Sequence, residues 1–299
     1  MKTILTPLCD RFDRIVFVDV CPRSAGILRF VFGLLITWQL SFFALTFDDW
    51  LANDGWLNSK CNNLSLTSQM SLLNGVSDSS VLRIFLAAVI VSSVMMTIGL
   101  FSRASTIATC VGLTSLQARL SPVLCGGDIV AQIVTFYLCF ARTGEFLAVD
   151  RYLFKRTRAL TIPGWPIQLL KFHICLIYVA SFMHKICDQC WIDGTVLYYA
   201  LHYADNRNFP LPDFFREPPV TSILSYCTLA VEGAFGLFPF LSPAGRRNLL
   251  LLAVGMHLGI AYFMFIPNFA PVMISSYVAF LDYSWSPSRT TEIFPVSTE

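Results

Sequence analysis

Charge is what this sequence has least of. Asp, Glu, Lys and Arg make up 13% of its 299 residues, about half the share of roughly 25% in an ordinary soluble domain. The few charges are also segregated into short patches between long uncharged runs, which argues against a water-soluble globule with one large core. There is no strong imbalance of sign, with a net charge of +2. The basic residues form no stripe interleaved with aromatics, so nothing points to nucleic acid. Residues 1–23 lack the continuous apolar stretch of a cleaved signal peptide. The cysteines lack a second ligand pair at finger spacing, which leaves zinc without support. No internal repeat of the inverted-repeat transporter kind is visible, and neither are paired Gly/Pro-broken helices.

What remains is apolar. Hydrophobic residues are 55% of the chain and mean hydropathy is +0.62. Eight segments approach the roughly 20 apolar residues that a bilayer crossing needs: 25–47, 81–101, 105–120, 128–149, 165–186, 220–241, 248–266 and 269–283. The third and the last are short. Backbone in hydrocarbon must satisfy its own hydrogen bonds, so each is expected to be helical. Pro122, Pro163, Pro218 and Pro243 punctuate segment ends. With the N-terminus inside, the inner loops collect most of the 21 Lys and Arg, including Arg142, Arg151, Lys155, Arg156, Arg158, Arg246 and Arg247. The fold class is therefore an all-α polytopic transmembrane bundle with about eight spans and both ends cytoplasmic. Residues 1–24 precede it as an interfacial segment, with an amphipathic helix expected over 8–20. Residues 25–284 form the membrane domain, and the Ser/Thr/Pro-rich tail 285–299 reads as disordered. Multi-pass placement in the cell membrane follows.

Ionisable residues inside a bilayer are costly and mark functional candidates. Lys171, Tyr178 and Lys185 recur at sevens, near one face of the fifth segment. Lys185 is either an interfacial amine, snorkelling or paired with Asp188, or a partly desolvated base. Glu232 and His257 fall at mid-membrane, where they would pair with each other as a structural hydrogen bond or as a proton relay. Asp128, Arg119 and Gln117 gather at the outer ends of the third and fourth segments, which suggests an Arg–Asp clamp on that short loop. Cys61, Cys125, Cys187 and Cys190 all fall in outer loops, where at least one disulfide is expected; three pairings are open. Cys187-Asp188-Gln189-Cys190 also reads as a redox pair, without a thioredoxin-like context. Asn63-Leu64-Ser65 is a glycosylation sequon.

Five stretches carry a resemblance: Leu28-Arg29-Phe30 with Gly33; Asp54-Gly55-Trp56; Ser115-Leu116-Gln117-Ala118-Arg119 with Gly126-Gly127-Asp128 and Val149-Asp150; Ile177-Tyr178 with Lys185, Trp191-Ile192-Asp193-Gly194 and Tyr198-Tyr199-Ala200-Leu201; and Glu232 with His257-Leu258-Gly259-Ile260, Phe269 and Met273. In this order they resemble the HTTM domain, the membrane domain shared with the vitamin K-dependent γ-carboxylases. The resemblance implies a vitamin K-type or other quinol lipid as cofactor. It implies Lys185 as the base that deprotonates it, His257 and Glu232 as polarising groups, and a site on the exoplasmic side. Tyr178, Trp191, Asp128 and Arg119 are the accompanying candidates for cofactor contacts. The carboxylases carry a histidine near the start of the fourth span, where this sequence has Asp128. The alternative that the resemblance leaves open is a non-catalytic membrane protein that partners a peptide or protein in toxin maturation or immunity. Membrane lipids are partners under either reading.

Overall fold

Proline and the first uncommitted amides decide where the first long helix begins. Cys21 adopts an extended backbone and Pro22 occupies the first turn, where its missing N–H costs nothing. The computed structural model describes residues 16–52, 54–56, 71–155, 159–202, 210, 212–264 and 266–281. Its helices, in chain order, are α1 (Pro22–Leu45), α2 (Phe47–Trp50), α3 (Ser79–Ile98), α4 (Ser102–Arg119), α5 (Gly126–Phe140), α6 (Asp150–Leu153), α7 (Trp165–Lys185), α8 (Gln189–Ile192), α9 (Val196–His202), α10 (Pro218–Ala234), α11 (Pro243–Phe263) and α12 (Phe269–Ser276). Strand β1 (Asp19–Val20) pairs antiparallel with β2 (Ile162–Pro163) just before α7. The amphipathic helix expected over 8–20 therefore gives way to a strand at its end; its earlier part, the sequon and the tail lie outside the described residues.

All eight expected segments are helical, but they do not reach equal lengths. Four helices are long and apolar enough to cross a membrane: Pro22–Leu45, Ser79–Ile98, Trp165–Lys185, and Pro218–Phe240, in which α10 runs on into a 3-10 turn. The fourth expected segment stops at Phe140. Its 15 residues span roughly 22 Å at 1.5 Å per residue, short of the ~30 Å hydrocarbon core. Downstream of that end, the carbonyls of Thr143, Phe146 and Leu147 are given to a side chain on α1. Helix α4 is long enough but polar; its Ser102, Ser105, Thr106, Thr109, Ser115 and Gln117 are buried between neighbouring helices.

That side chain is Arg29, fully buried in the first long helix. Its guanidinium donates to the carbonyls of Thr97 at 2.8 Å, Thr143 at 3.4 Å and Phe146 at 3.4 Å, and also to those of Met96 and Leu147. Met96 and Thr97 end α3, whose last carbonyls have no intrahelical donor. Gly99 follows in the left-handed region at φ 74, and its N–H closes the turn onto Met95 and Met96. A Cβ there would also sit 2.7 Å from Ala148 and 2.8 Å from the Arg29 guanidinium. Next to this knot the Asp150 carboxylate accepts from the N–H groups of Phe101 and Ser102, each at 2.6 Å, and so caps α4.

Helix α1 belongs to both apolar cores. Ile36 and Leu40 pack with Leu82, Leu86, Leu113 and Leu116 of α3 and α4. Leu28 and Phe32 pack with Val134, Leu138, Ile174, Tyr178 and Phe235 from α5, α7 and the turn after α10. The opposite face of α1 exposes Phe30, Leu34, Trp38, Phe42 and Leu45, a lipid-compatible stripe at helical spacing.

Candidate functional site

The second core closes around polar groups that have no route to water along their own helices. On α7, Lys185 lies one turn beyond Ser181 and two beyond Tyr178, so the three share a face. Lys185 Nζ donates to Ser181 Oγ at 2.7 Å and to Glu232 Oε1 of α10 at 2.5 Å. The Lys185 and Glu232 side chains keep only 19% and 7% of their surface exposed. Trp191 of α8 covers the amine, which lies 5.1 Å from its ring centroid. The hairpin after α7 is fixed by Tyr226, whose hydroxyl donates to the Ile192 carbonyl at 2.9 Å.

Behind the ion pair, the Tyr178 hydroxyl lies 2.7 Å from His257 Nε2 of α11 and touches the hydroxyl of Tyr277, just past α12. The Tyr178 ring stacks on Phe235, centroids 3.9 Å apart. Phe269 meets His257 edge-on at 5.2 Å. Glu232 lies within electrostatic reach of both tyrosines, and Lys185 of His257. Two atoms are left over: Glu232 Oε2 and His257 Nδ1 are buried with no hydrogen-bond partner among the described residues.

Lys185, Glu232, His257, Tyr178 and Trp191 are therefore brought together, but not in the pairing expected. Glu232 and His257 do not pair with each other; Glu232 takes Lys185, because Lys185 reaches back toward its own helix. Asp188 is not the amine's partner either, since its carboxylate caps α8 at the Cys190 N–H. The Arg119–Asp128 clamp is absent. Arg119 donates to the carbonyls of Val76 at 2.9 Å and Leu51 at 3.1 Å. Asp128 accepts from Gln39 Nε2 at 2.5 Å and from the Cys125 N–H at 2.7 Å. A carboxylate at the third position of a helix is better used on the helix's own free amide, which is the capping-box arrangement seen here. Both residues thus face the α1–α3–α4 side. Asp128 touches the site only through its neighbour: a Cβ on Gly127 would lie 2.8 Å from the Phe269 backbone, so Gly127 lets α5 and α12 meet.

The disulfide expectation is not realised among the described cysteines. Cys125, Cys187 and Cys190 are free thiols, and Cys61 lies outside the described residues. Cys125 is engaged at the N-terminus of α5, where burial, and then the Asp128 charge, push its thiol pKa up. Cys187 and Cys190 are separated by the extended backbone of Asp188. Two groups in the cluster, Tyr277 and Phe235, were not singled out from sequence. Tyr277 continues the spacing of Phe269 and Met273 by one more turn, a signal that was there to be read.

A family model, that of the HTTM domain, matches residues 17–285. The chain belongs to the HTTM domain family. Among curated proteins, the uncharacterized protein YitO of Bacillus subtilis (strain 168) is 26% identical over 178 residues, 56% of this chain and 56% of that protein. This HTTM chain thus spans about half the length of that curated relative. No solved structure matches. Family membership, together with four helices of spanning length, makes this an integral membrane protein related to the carboxylase membrane domain.

Proposed function

We propose that this HTTM protein is a carboxylase-like membrane enzyme acting on a quinol-type lipid, with Lys185 as the base. The observation that carries this is the 2.5 Å contact between Lys185 and Glu232 inside a nearly closed, apolar surround. Glu232 is the acceptor placed to take the proton that the Lys185 amine must give up before it can act. A neutral amine is what a general base requires. The fit is supported by Glu232 Oε2 and His257 Nδ1, two unserved polar atoms suited to the oxygens of a diphenol head. Trp191 offers it an aromatic surface beside the amine. A bound quinol would supply the acidic hydroxyl and the reducing electrons; the chain's residues orient it, take its proton and exclude water.

The reading extends to topology: about eight crossings, both ends cytoplasmic, cell-membrane residence, and Lys185 toward the exoplasmic mouth. Cys187 and Cys190 are exposed thiols just past Lys185 and report on this directly. In intact cells a membrane-impermeant maleimide is expected to label them. Labelling that needs permeabilised cells would reverse the orientation.

For the chemistry, the full chain in proteoliposomes is given a vitamin K-type naphthohydroquinone and oxygen, and oxidised products are separated chromatographically. Lys185→Ala is expected to lower their formation roughly 100-fold or more, the usual worth of a positioned base. Equal rates for wild type, variant and protein-free liposomes would end the enzyme reading. One observation favours the alternative, a non-catalytic membrane partner: Ser181, Glu232 and Trp191 already satisfy the amine, as a purely structural pair would. Under that reading Lys185→Ala keeps partner binding and loses only stability.

A further inference from the structure

The two ring nitrogens of His257 are served unequally. Nε2 meets the Tyr178 hydroxyl, while Nδ1 is buried and no polar atom of the described residues reaches it. Tyr178 in turn meets Tyr277, whose hydroxyl has no other partner among the described residues. Each hydroxyl carries one proton, and a neutral imidazole carries one on either nitrogen. The row has two continuous directions; a third arrangement, with Tyr178 accepting from both neighbours, leaves the Tyr178 proton without an acceptor and Nδ1 as a bare lone pair.

If Tyr277 donates to Tyr178 and Tyr178 donates to Nε2, both hydroxyl protons are used and the ring proton sits on Nδ1. If Nε2 donates to Tyr178 and Tyr178 to Tyr277, the proton of Tyr277 has no acceptor and Nδ1 is a bare lone pair. The first direction leaves one buried group unpaired and the second leaves two. Unpaired buried polar groups are penalised, and more so in hydrocarbon. Tyr277 thus occupies the acceptor side of Tyr178 and turns the Tyr178 proton toward the ring.

We infer that Tyr277 and Tyr178 are positioning residues that hold His257 as its Nδ1–H tautomer, presenting a hydrogen-bond donor to a carbonyl oxygen of the ligand. The ligand's identity as the oxidised, quinone form of the proposed quinol rests on the function proposed above; the tautomer does not. Phe269 packs edge-on against the imidazole, and Gly127 lets α5 approach its backbone closely.

The test is nitrogen NMR on the full chain with 15N-histidine in lipid. Four histidines are present, and His257 is identified by difference from His257→Gln. The expected wild-type signal is a protonated Nδ1 with an unprotonated Nε2. Tyr178→Phe is expected to give a tautomer mixture. An Nε2–H tautomer, a doubly protonated ring, or a Tyr178→Phe spectrum identical to wild type would overturn the proposal. The wild-type reading stands alone if the variant does not fold. Menadione is the probe for the ligand, and is expected to shift the Nδ1 resonance. The expected tautomer with no menadione response would overturn the carbonyl assignment and count against the quinone-type reading, while the tyrosine–histidine arrangement would hold.

Discussion

Replacing Arg29 with methionine is expected to lower stability by about 3–5 kcal/mol, the range for removing one partner from a buried charged network. Methionine keeps the apolar stem, so the larger part of the loss is not one of packing. What disappears is the donor set for five carbonyls drawn from three stretches of chain: Met96 and Thr97, Thr143, and Phe146 with Leu147. Of these, the Thr97 carbonyl lies in the last turn of α3 and has no donor within the helix, while Phe146 and Leu147 follow the short 3-10 turn Thr143–Glu145. Asp150 would also be left as a buried carboxylate without its nearby cation. Arg29→Lys is expected to recover little, because one ammonium with three donors cannot serve a planar fan of five acceptors. Unfolding in detergent by heat or denaturant measures this. A loss below about 1 kcal/mol would mean that the carbonyls find other donors and the knot is incidental.

The second large effect is non-additivity at the ion pair. Lys185→Met leaves Glu232 buried and uncompensated, and Glu232→Gln leaves the Lys185 charge without its counterion. Each single change is expected to cost more than half of what the double change costs, with a coupling of roughly 1–3 kcal/mol. The double variant is expected to be close to wild type, because a buried pair is often replaceable by neutral groups of similar volume. Glu232 Oε2 has no partner even in the wild type, so part of the Glu232 desolvation is already uncompensated. Strictly additive single changes would show that the two groups do not interact when folded in lipid.

The fold class was legible because its signal is compositional. Scarce charge and long apolar runs survive any uncertainty about register, and all eight segments are helical. Span lengths were less legible. Beyond the end of α5, Thr143, Phe146 and Leu147 give their carbonyls to Arg29, a residue on another helix, and no local pattern announces it. Arg29 itself was a missed inference: it is an ionisable group within the first apolar run, and the logic applied to Lys185 and Glu232 applies to it equally. In the site, the members were found more readily than their pairing. Cost in hydrocarbon identifies Lys185, Glu232 and His257 one at a time, but which meets which depends on helix rotation. Asp128 and Arg119 were misread for the opposite reason. Their nearness in sequence suggested a clamp, whereas Asp128 caps its own helix and Arg119 serves the carbonyls of Leu51 and Val76 on other segments, so neither is left for the other.

The short ribbon between β1 and β2 also bears on biosynthesis. In the chain its strands lie on either side of α1 to α6, with Asp19 opposite Pro163 and Val20 opposite Ile162. The ribbon cannot form until translation has passed Pro163, by which time α1, α3, α4 and α5 have been made. Asp19 and Val20 are therefore made well before the strand they dock against. A ribosome-stalled chain arrested before Pro163 would expose that stretch to protease, and one arrested well beyond it would not.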